Sequence, residues 1–193
     1  MAFSTRIRRG VGVIHISSPS WTLTRLDPPL TRTAYSPVMN TERARVLFVC
    51  THNSARSQMA EGMLNAWGAH RFEAQSAGTE ATAVRPEAIA VMDEIGIDIS
   101  RQQSKTLEPF MGESFGWLIT VCDKARESCP TLPGVAQQVH WSIDDPSAVQ
   151  GSDDERLDAF RQARDILRAR IQMFILAAGR EDLPAPAPTT LGT

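Results

Sequence analysis

Cysteine is scarce in this chain of 193 residues: there are three in all, and an odd number cannot close a framework of disulfides. No two of them form a CxxC pair, which excludes a zinc site of that spacing and a thioredoxin-type redox couple. No apolar run approaches the ~18 residues that a membrane span requires. No block of like charges exceeds three residues, and acids and bases nearly cancel to a formal charge of -2. Nucleic acid and a bilayer surface are therefore not expected partners. What remains is 42% hydrophobic residues on a length suited to one ordinary soluble domain. Thiols left unpaired fit a reducing cytoplasm, where the common role of a cysteine is that of a small buried hydrophobe.

The two ends differ from the middle. Residues 1–44 carry Arg6, Arg8, Arg9, Arg25, Arg32 and Arg43 against only Asp27 and Glu42, with four prolines and no helical or strand periodicity. The composition resembles a transit peptide, but the apolar stripe of a targeting helix is missing. The segment is expected to be a disordered or over-extended leader, with translation beginning at Met39. Residues 180–193, where Pro184, Pro186 and Pro188 alternate with alanine, are expected to be a disordered tail.

Between 45 and 179 strands and helices alternate. Val46 to Val49 is a four-residue apolar run suited to a fully buried strand. Met59, Ala60, Met63, Leu64 and Trp67 then recur at spacings of three and four, with Gly68 as the expected helix stop. Phe72 to Ser76 reads as a second strand, Pro86 as the first turn of a second helix, Phe115 to Val121 as a third strand and Val139 to Ile143 as a fourth. Phe160, Ala163, Leu167, Ile171 and Phe174 form the stripe of a long last helix. This alternation predicts an α/β fold: an open, doubly wound, parallel four-stranded sheet flanked by helices. Such sheets bind ligands beyond the carboxyl ends of their strands. Cys50, Cys122 and the Asp144–Asp145 pair all fall at that edge, although they come from distant stretches.

The stretch from Cys50 to Arg56 encloses five residues, Thr51, His52, Asn53, Ser54 and Ala55, and runs straight into a helix. A loop of that kind presents backbone N–H groups and a helix dipole to a bound oxyanion. Arg56 adds a planar fork for bidentate contact. The same surroundings favour the thiolate of Cys50, a nucleophile aimed at the anion. Ser57 is placed to hydrogen-bond the sulfur, and Asn53 tolerates the positive φ that a tight loop needs. Taken alone, a CxxxxxR spacing arises often by chance; the strand before it and the helix after it are the context that gives it meaning.

With those residues in view, the chain resembles the low-molecular-weight tyrosine phosphatase family and, within it, the thioredoxin-coupled arsenate reductases. "VCTHNSARSQMAEG" is similar to the family's oxyanion loop and first helix, "TVCDKARESCP" to its redox segment and "HWSIDDPS" to its acid loop. The likeness spans residues 45 to 178, with 72 positions from Cys50 to Cys122 and seven from Cys122 to Cys129. It implies that Cys50 attacks arsenate in a cradle completed by Arg56 and that Asp145, directly before Pro146, protonates the departing oxygen. Cys122 would then displace arsenite from Cys50, and Cys129 would take over Cys122 in a disulfide reduced by thioredoxin. Arsenate would be the substrate, with phosphate or sulfate competing, and the chain a monomer with no bound cofactor. Some relatives hold a potassium ion; here Asn53 and Ser76 match that site but Gln103 and Lys105 do not, so no metal is expected. A helix from 122 to 129 would separate the two Cα atoms by roughly 10 Å, beyond the ~7 Å a disulfide spans, so the segment has to unwind.

Two other readings stay open at this level. A phosphatase hydrolysing phosphomonoesters through a Cys50 phosphoenzyme needs only the first cysteine, and aromatics to flank a phosphotyrosine are few, with Tyr35 the single tyrosine. A non-catalytic oxyanion-binding module would not require Asp145. His52 reads as a loop residue that tunes access, His140 and Trp141 as packing beside the acid loop, and Lys124 and Arg126 as solvated charges with a possible attraction for thioredoxin.

Overall fold

Val46, Leu47, Phe48 and Val49 are completely buried, as an apolar run covered on both faces of a parallel sheet should be. They form the middle of β1 (Ala44–Cys50) in a computed structural model that describes residues 43–128 and 132–178. The leader, the tail and Cys129 lie outside the described residues. β1 pairs in parallel with β2 (Phe72–Gly78) on one side and β3 (Phe115–Thr120) on the other, and β3 pairs with β4 (Val135–His140). The order β2-β1-β3-β4 means that the winding reverses between β1 and β3, whose carboxyl ends flank the ligand crevice of such sheets.

The helices are α1 (Arg56–Trp67), α2 (Pro86–Asp93), the short α3 (Asp123–Ser128) and the long α4 (Asp153–Ala178). The α4 stripe of Phe160, Ala163, Leu167 and Ile171 is buried as its periodicity predicts, and packs against α1 and α2. Ser152 and Glu155 begin α4 as a reciprocal cap, Ser152 N donating to Glu155 Oε2 at 2.8 Å and Glu155 N to Ser152 Oγ at 3.3 Å. The Ser152 N–H, followed by the Ser152 hydroxyl donating to the same oxygen at 2.9 Å, holds the Glu155 carboxyl below its usual range. Gly68 stops α1 with its N–H on Leu64 O at 2.8 Å. Its φ is negative, so the reason for glycine there is space: a Cβ would come within 2.9 Å of Leu64 Cδ1.

The fourth strand is a correction. The sequence pattern predicts it at Val139 to Ile143, but the ladder runs from Val135 to His140. Ala136, Gln137 and Gln138 are exposed on an edge strand, and their polarity hid the strand. Trp141 and Ile143 alternate with polar residues because they anchor the following loop in the core. That loop, and not a strand end, carries Asp144 and Asp145.

Candidate active site

Cys50 is the last residue of β1, and its chain continues through residues 51–55 into α1 at Arg56. The carbonyls of that turn are all hydrogen-bonded. Cys50 O accepts Thr79 N, Thr51 O accepts Glu80 N, Ser54 O accepts Arg85 N and Ala55 O accepts Met59 N. His52 O accepts Ser104 Oγ at 2.9 Å, and Asn53 O accepts Gln58 Nε2 at 3.0 Å. With every carbonyl from residue 50 to 55 already accepting a bond, the groups the loop has left for a ligand are backbone N–H groups other than that of Asn53. α1 adds to this. Ala55 at its start gives no side-chain cap, and its first turn holds no acid, so its leading N–H groups and positive dipole end stay available to an anion.

The sulfur of Cys50, on a residue only 3% exposed, accepts Asn53 N at 3.1 Å and lies 2.9 Å from Ser57 Oγ. Asn53 has a φ of +47°, the left-handed conformation that asparagine tolerates. Its fully buried side chain is the hub of the site. Nδ2 donates to Ser57 Oγ at 2.9 Å and Ser76 Oγ at 2.8 Å, while Oδ1 accepts from Gln58 Nε2 at 2.8 Å and Lys105 N at 2.7 Å. Gly78 lets β2 pass beneath: a Cβ there would lie 2.6 Å from Thr51 O and 2.8 Å from Asn53 N.

Arg56 is buried and reaches across to the acid loop, donating from one terminal nitrogen to Ile143 O at 2.8 Å, with the other 3.2 Å from Asp145 Oδ2. Asp145 also accepts Ser147 N at 3.1 Å and remains 40% exposed at the cleft mouth. Of the two adjacent aspartates it is thus the one tied to the cradle. The cleft beside the loop is lined by His52, Ser54, Thr82, Arg85, Asp145 and Ser147 among others, with no Phe, Tyr or Trp among the described residues. His52 lies at its rim, 3.5 Å from Glu80.

Cys122 follows β3, is buried, and has its sulfur 3.5 Å from Thr51 Oγ1, on the residue next to Cys50. The Ala125 N–H donates to it at 3.4 Å. The structure therefore brings together Cys50, the loop from Thr51 to Ser57, Cys122 and Asp145, while Cys129 lies outside the described residues. His140, expected only to pack, bonds Asp123 and Thr120.

Three partners of the loop carry no motif of their own. Gln58 ties Asn53 to Gln103 O, Gly78 leaves room, and Glu61 accepts Ser76 Oγ at 2.5 Å and lies 3.7 Å from Lys105 Nζ. Burial pushes the Glu61 carboxyl up, against the opposing pull of Ser76 and Lys105. The Lys105 ammonium thus sits beside the one acidic group of this buried network. Among the described residues no cluster of three or more His, Cys, Asp or Glu could hold a metal ion, and no helix is long and apolar enough to cross a membrane.

Comparison with known proteins gives the same geometry a lineage. Residues 45–183 match the model of the low molecular weight phosphotyrosine protein phosphatase family. A relative from Halalkalibacterium halodurans, described as an arsenate reductase, is 41% identical over 129 residues, covering 67% of this chain and 93% of its own. A solved structure described as an arsenate reductase in the phosphate binding state is 35% identical with a TM-score of 0.58, covering 69% of this chain and 98% of that one. A low molecular weight protein tyrosine phosphatase from T. tengcongensis is 29% identical with the same TM-score, covering 69% and 99%.

Proposed function

The chain belongs to the low molecular weight phosphotyrosine protein phosphatase family, and from that premise we propose that it is a cytoplasmic arsenate reductase using a three-cysteine relay recharged by thioredoxin. Arsenate enters the loop between residues 50 and 56, its oxygens on the backbone amides and the Arg56 fork. The Cys50 thiolate forms an S–As bond, and one oxygen leaves as water with the proton of Asp145. Cys122 then attacks the sulfur of Cys50. An S–S bond forms, the S–As bond breaks with its electron pair on arsenic, and arsenic(V) departs as arsenite. Cys129 attacks Cys122, freeing the Cys50 thiolate, and a dithiol protein such as thioredoxin reduces the resulting Cys122–Cys129 disulfide by exchange.

The observation that carries this reading is the pairing of the two described thiols around one loop: Cys50 inside it, Cys122 against Thr51 on its flank. A second reading has its own support, since Cys50, Arg56 and Asp145 alone suffice to cleave a phosphomonoester, with no part for Cys122. That none of the described residues lining the cleft is Phe, Tyr or Trp favours a small inorganic oxyanion over a phosphotyrosine. The two readings separate by counting thiols. With arsenate and no reductant, one arsenite per protein should appear together with the loss of two of the three free thiols; no arsenite with all three thiols intact, beside phosphate release from a phosphomonoester such as p-nitrophenyl phosphate, would establish the hydrolase instead.

Lys105 also bears on ions. Its ammonium, beside Glu61 and the Ser76–Asn53 network, takes the part a monovalent cation would play. Activity is therefore expected to be the same in potassium and sodium salts at equal ionic strength. A marked rate increase with potassium in steady-state assays would overturn that assignment.

A further inference from the structure

One wall of the cleft beside the oxyanion loop, residues 82–86, is tied to that loop at both ends. Thr82 N donates to Ser104 Oγ at 3.0 Å, and Ser104 Oγ donates to His52 O at 2.9 Å. The Thr82 hydroxyl donates to the same His52 carbonyl at 3.4 Å. At the other end Arg85 N donates to Ser54 O at 2.9 Å. Arg85 is extended, with φ -71° and ψ 135°, as the residue before a proline should be, and Pro86 then opens α2. The root of the Arg85 side chain is thus held at a set place beside the loop that carries Cys50.

The charge of Arg85 is left over. Arg43, Arg45, Arg56, Arg156, Arg161 and Arg164 each have a carboxylate within ion-pair distance. Arg85 is exposed and has no such partner among the described residues. Glu87, the acid next to it in sequence, lies 3.8 Å from Arg156 Nε instead. Of the other titratable groups lining the cleft, Asp145 is committed to Arg56 and to Ser147 N, and His52 lies 3.5 Å from Glu80. A guanidinium fork on a wall already fixed is a receptor for an anion, and little backbone freedom is lost when it binds one. The cleft is also larger than an inorganic oxyanion fills. Its volume is about 530 Å³, within the ~300–1,000 Å³ of sites that hold small organic ligands. Ser54, Thr82 and Ser147 line it, and no Phe, Tyr or Trp among the described residues does, so the spare room suits a polar group.

We propose that Arg85 is an outer anion site, and that through it the cleft hydrolyses small, non-aromatic phosphomonoesters that carry a second acidic group. The phosphoryl group sits on the loop between residues 50 and 56, and the second group in the Arg85 fork. Cys50 Sγ forms an S–P bond as the ester P–O bond breaks, and the leaving alcohol takes the proton of Asp145. Water then attacks phosphorus and returns a proton to Asp145. The S–P bond breaks, phosphate leaves and the Cys50 thiolate is restored. No electrons pass to or from Cys122. The inference rests on the Cys50 cradle of the reading above and on none of its redox steps.

Two esters that differ in one group test this: glyceric acid and glycerol, each phosphorylated on its terminal hydroxyl, with phosphate release followed on the full chain at low, fixed ionic strength. The wild-type kcat/KM for the glycerate ester should exceed that for the glycerol ester about fivefold, the scale of one charge-assisted bond at an exposed site. Arg85→Gln should bring that ratio to within twofold of one. Arg85→Lys keeps the charge without the fork and should give an intermediate ratio. Because Arg85 is exposed, the wild-type preference should shrink in high salt, and both variants should keep the wild-type urea midpoint. A wild-type ratio within twofold of one overturns the outer site, and so does an undiminished ratio in Arg85→Gln. A third ester, p-nitrophenyl phosphate, has no second acidic group and separates the failures. Its hydrolysis without a preference for the glycerate ester overturns the Arg85 site alone. If none of the three esters is hydrolysed, the hydrolytic activity itself is overturned, while arsenate turnover still decides the reductase reading separately.

Discussion

Cys50→Ser and Cys122→Ser should each lower thioredoxin-coupled arsenate turnover by more than about a thousandfold, because in the proposed relay each removes a sulfur that forms a bond during every cycle. The three cysteines nevertheless fail at different points. Cys50→Ser forms no arsenic adduct and loses phosphomonoester hydrolysis as well, since serine in the same cradle is a far weaker nucleophile at neutral pH. Cys122→Ser keeps Cys50 with its partners Asn53 N and Ser57 Oγ, so it should still bind the oxyanion and retain any hydrolytic side activity. Cys129→Ser should release one arsenite per protein and then stall as a Cys50–Cys122 disulfide. The coupled assay with arsenate, thioredoxin, thioredoxin reductase and NADPH, together with peptide mapping of the stalled protein, reads all three. Arsenate-dependent NADPH use that survives the loss of Cys122 or Cys129 would overturn the relay.

Asn53→Ala should be the most destabilising single change at the site, by about 3–5 kcal/mol. The side chain is fully buried and satisfies Ser57, Ser76, Gln58 and the backbone of Lys105 at once. Its removal leaves those groups facing a cavity, and the +47° φ of residue 53 adds a penalty of about 1 kcal/mol for an alanine that disfavours that region. Urea denaturation checks the prediction, and Asn53→Gly separates its two parts. Glycine relieves the backbone term alone, so Asn53→Gly should recover only about 1 kcal/mol of the loss. A near-complete recovery would mean that the hydrogen-bond hub matters little. The same change should depress catalysis beyond its effect on stability, because Asn53 N donates to the Cys50 sulfur.

The oxyanion loop was legible in the sequence because all of its parts are contiguous. A buried strand, a thiol, five small or polar residues, an arginine and an uncapped helix follow one another, and local geometry alone turns such a string into an anion cradle. Asn53 and Ser57 lie within seven residues of Cys50 along the chain, and both meet close to its sulfur, Asn53 Nδ2 donating to Ser57 Oγ, which lies 2.9 Å from Cys50 Sγ. The fourth strand was misplaced because an edge strand with Ala136, Gln137 and Gln138 exposed carries no apolar signature. The loop after it mimics one, since Trp141 and Ile143 face the core at period two.

By itself the sequence determined the alternation of strands and helices, the parallel sheet and the cradle, since each rests on periodicity or on residues adjacent along the chain. Only the tertiary structure decided that Arg56 meets Asp145 and Ile143, that Cys122 lies against Thr51, and that His140 grips Asp123. Those contacts join stretches 17 to 89 positions apart. Their existence depends on strand order and register, which bring distant carboxyl ends to one edge of the sheet and leave no trace in any local pattern.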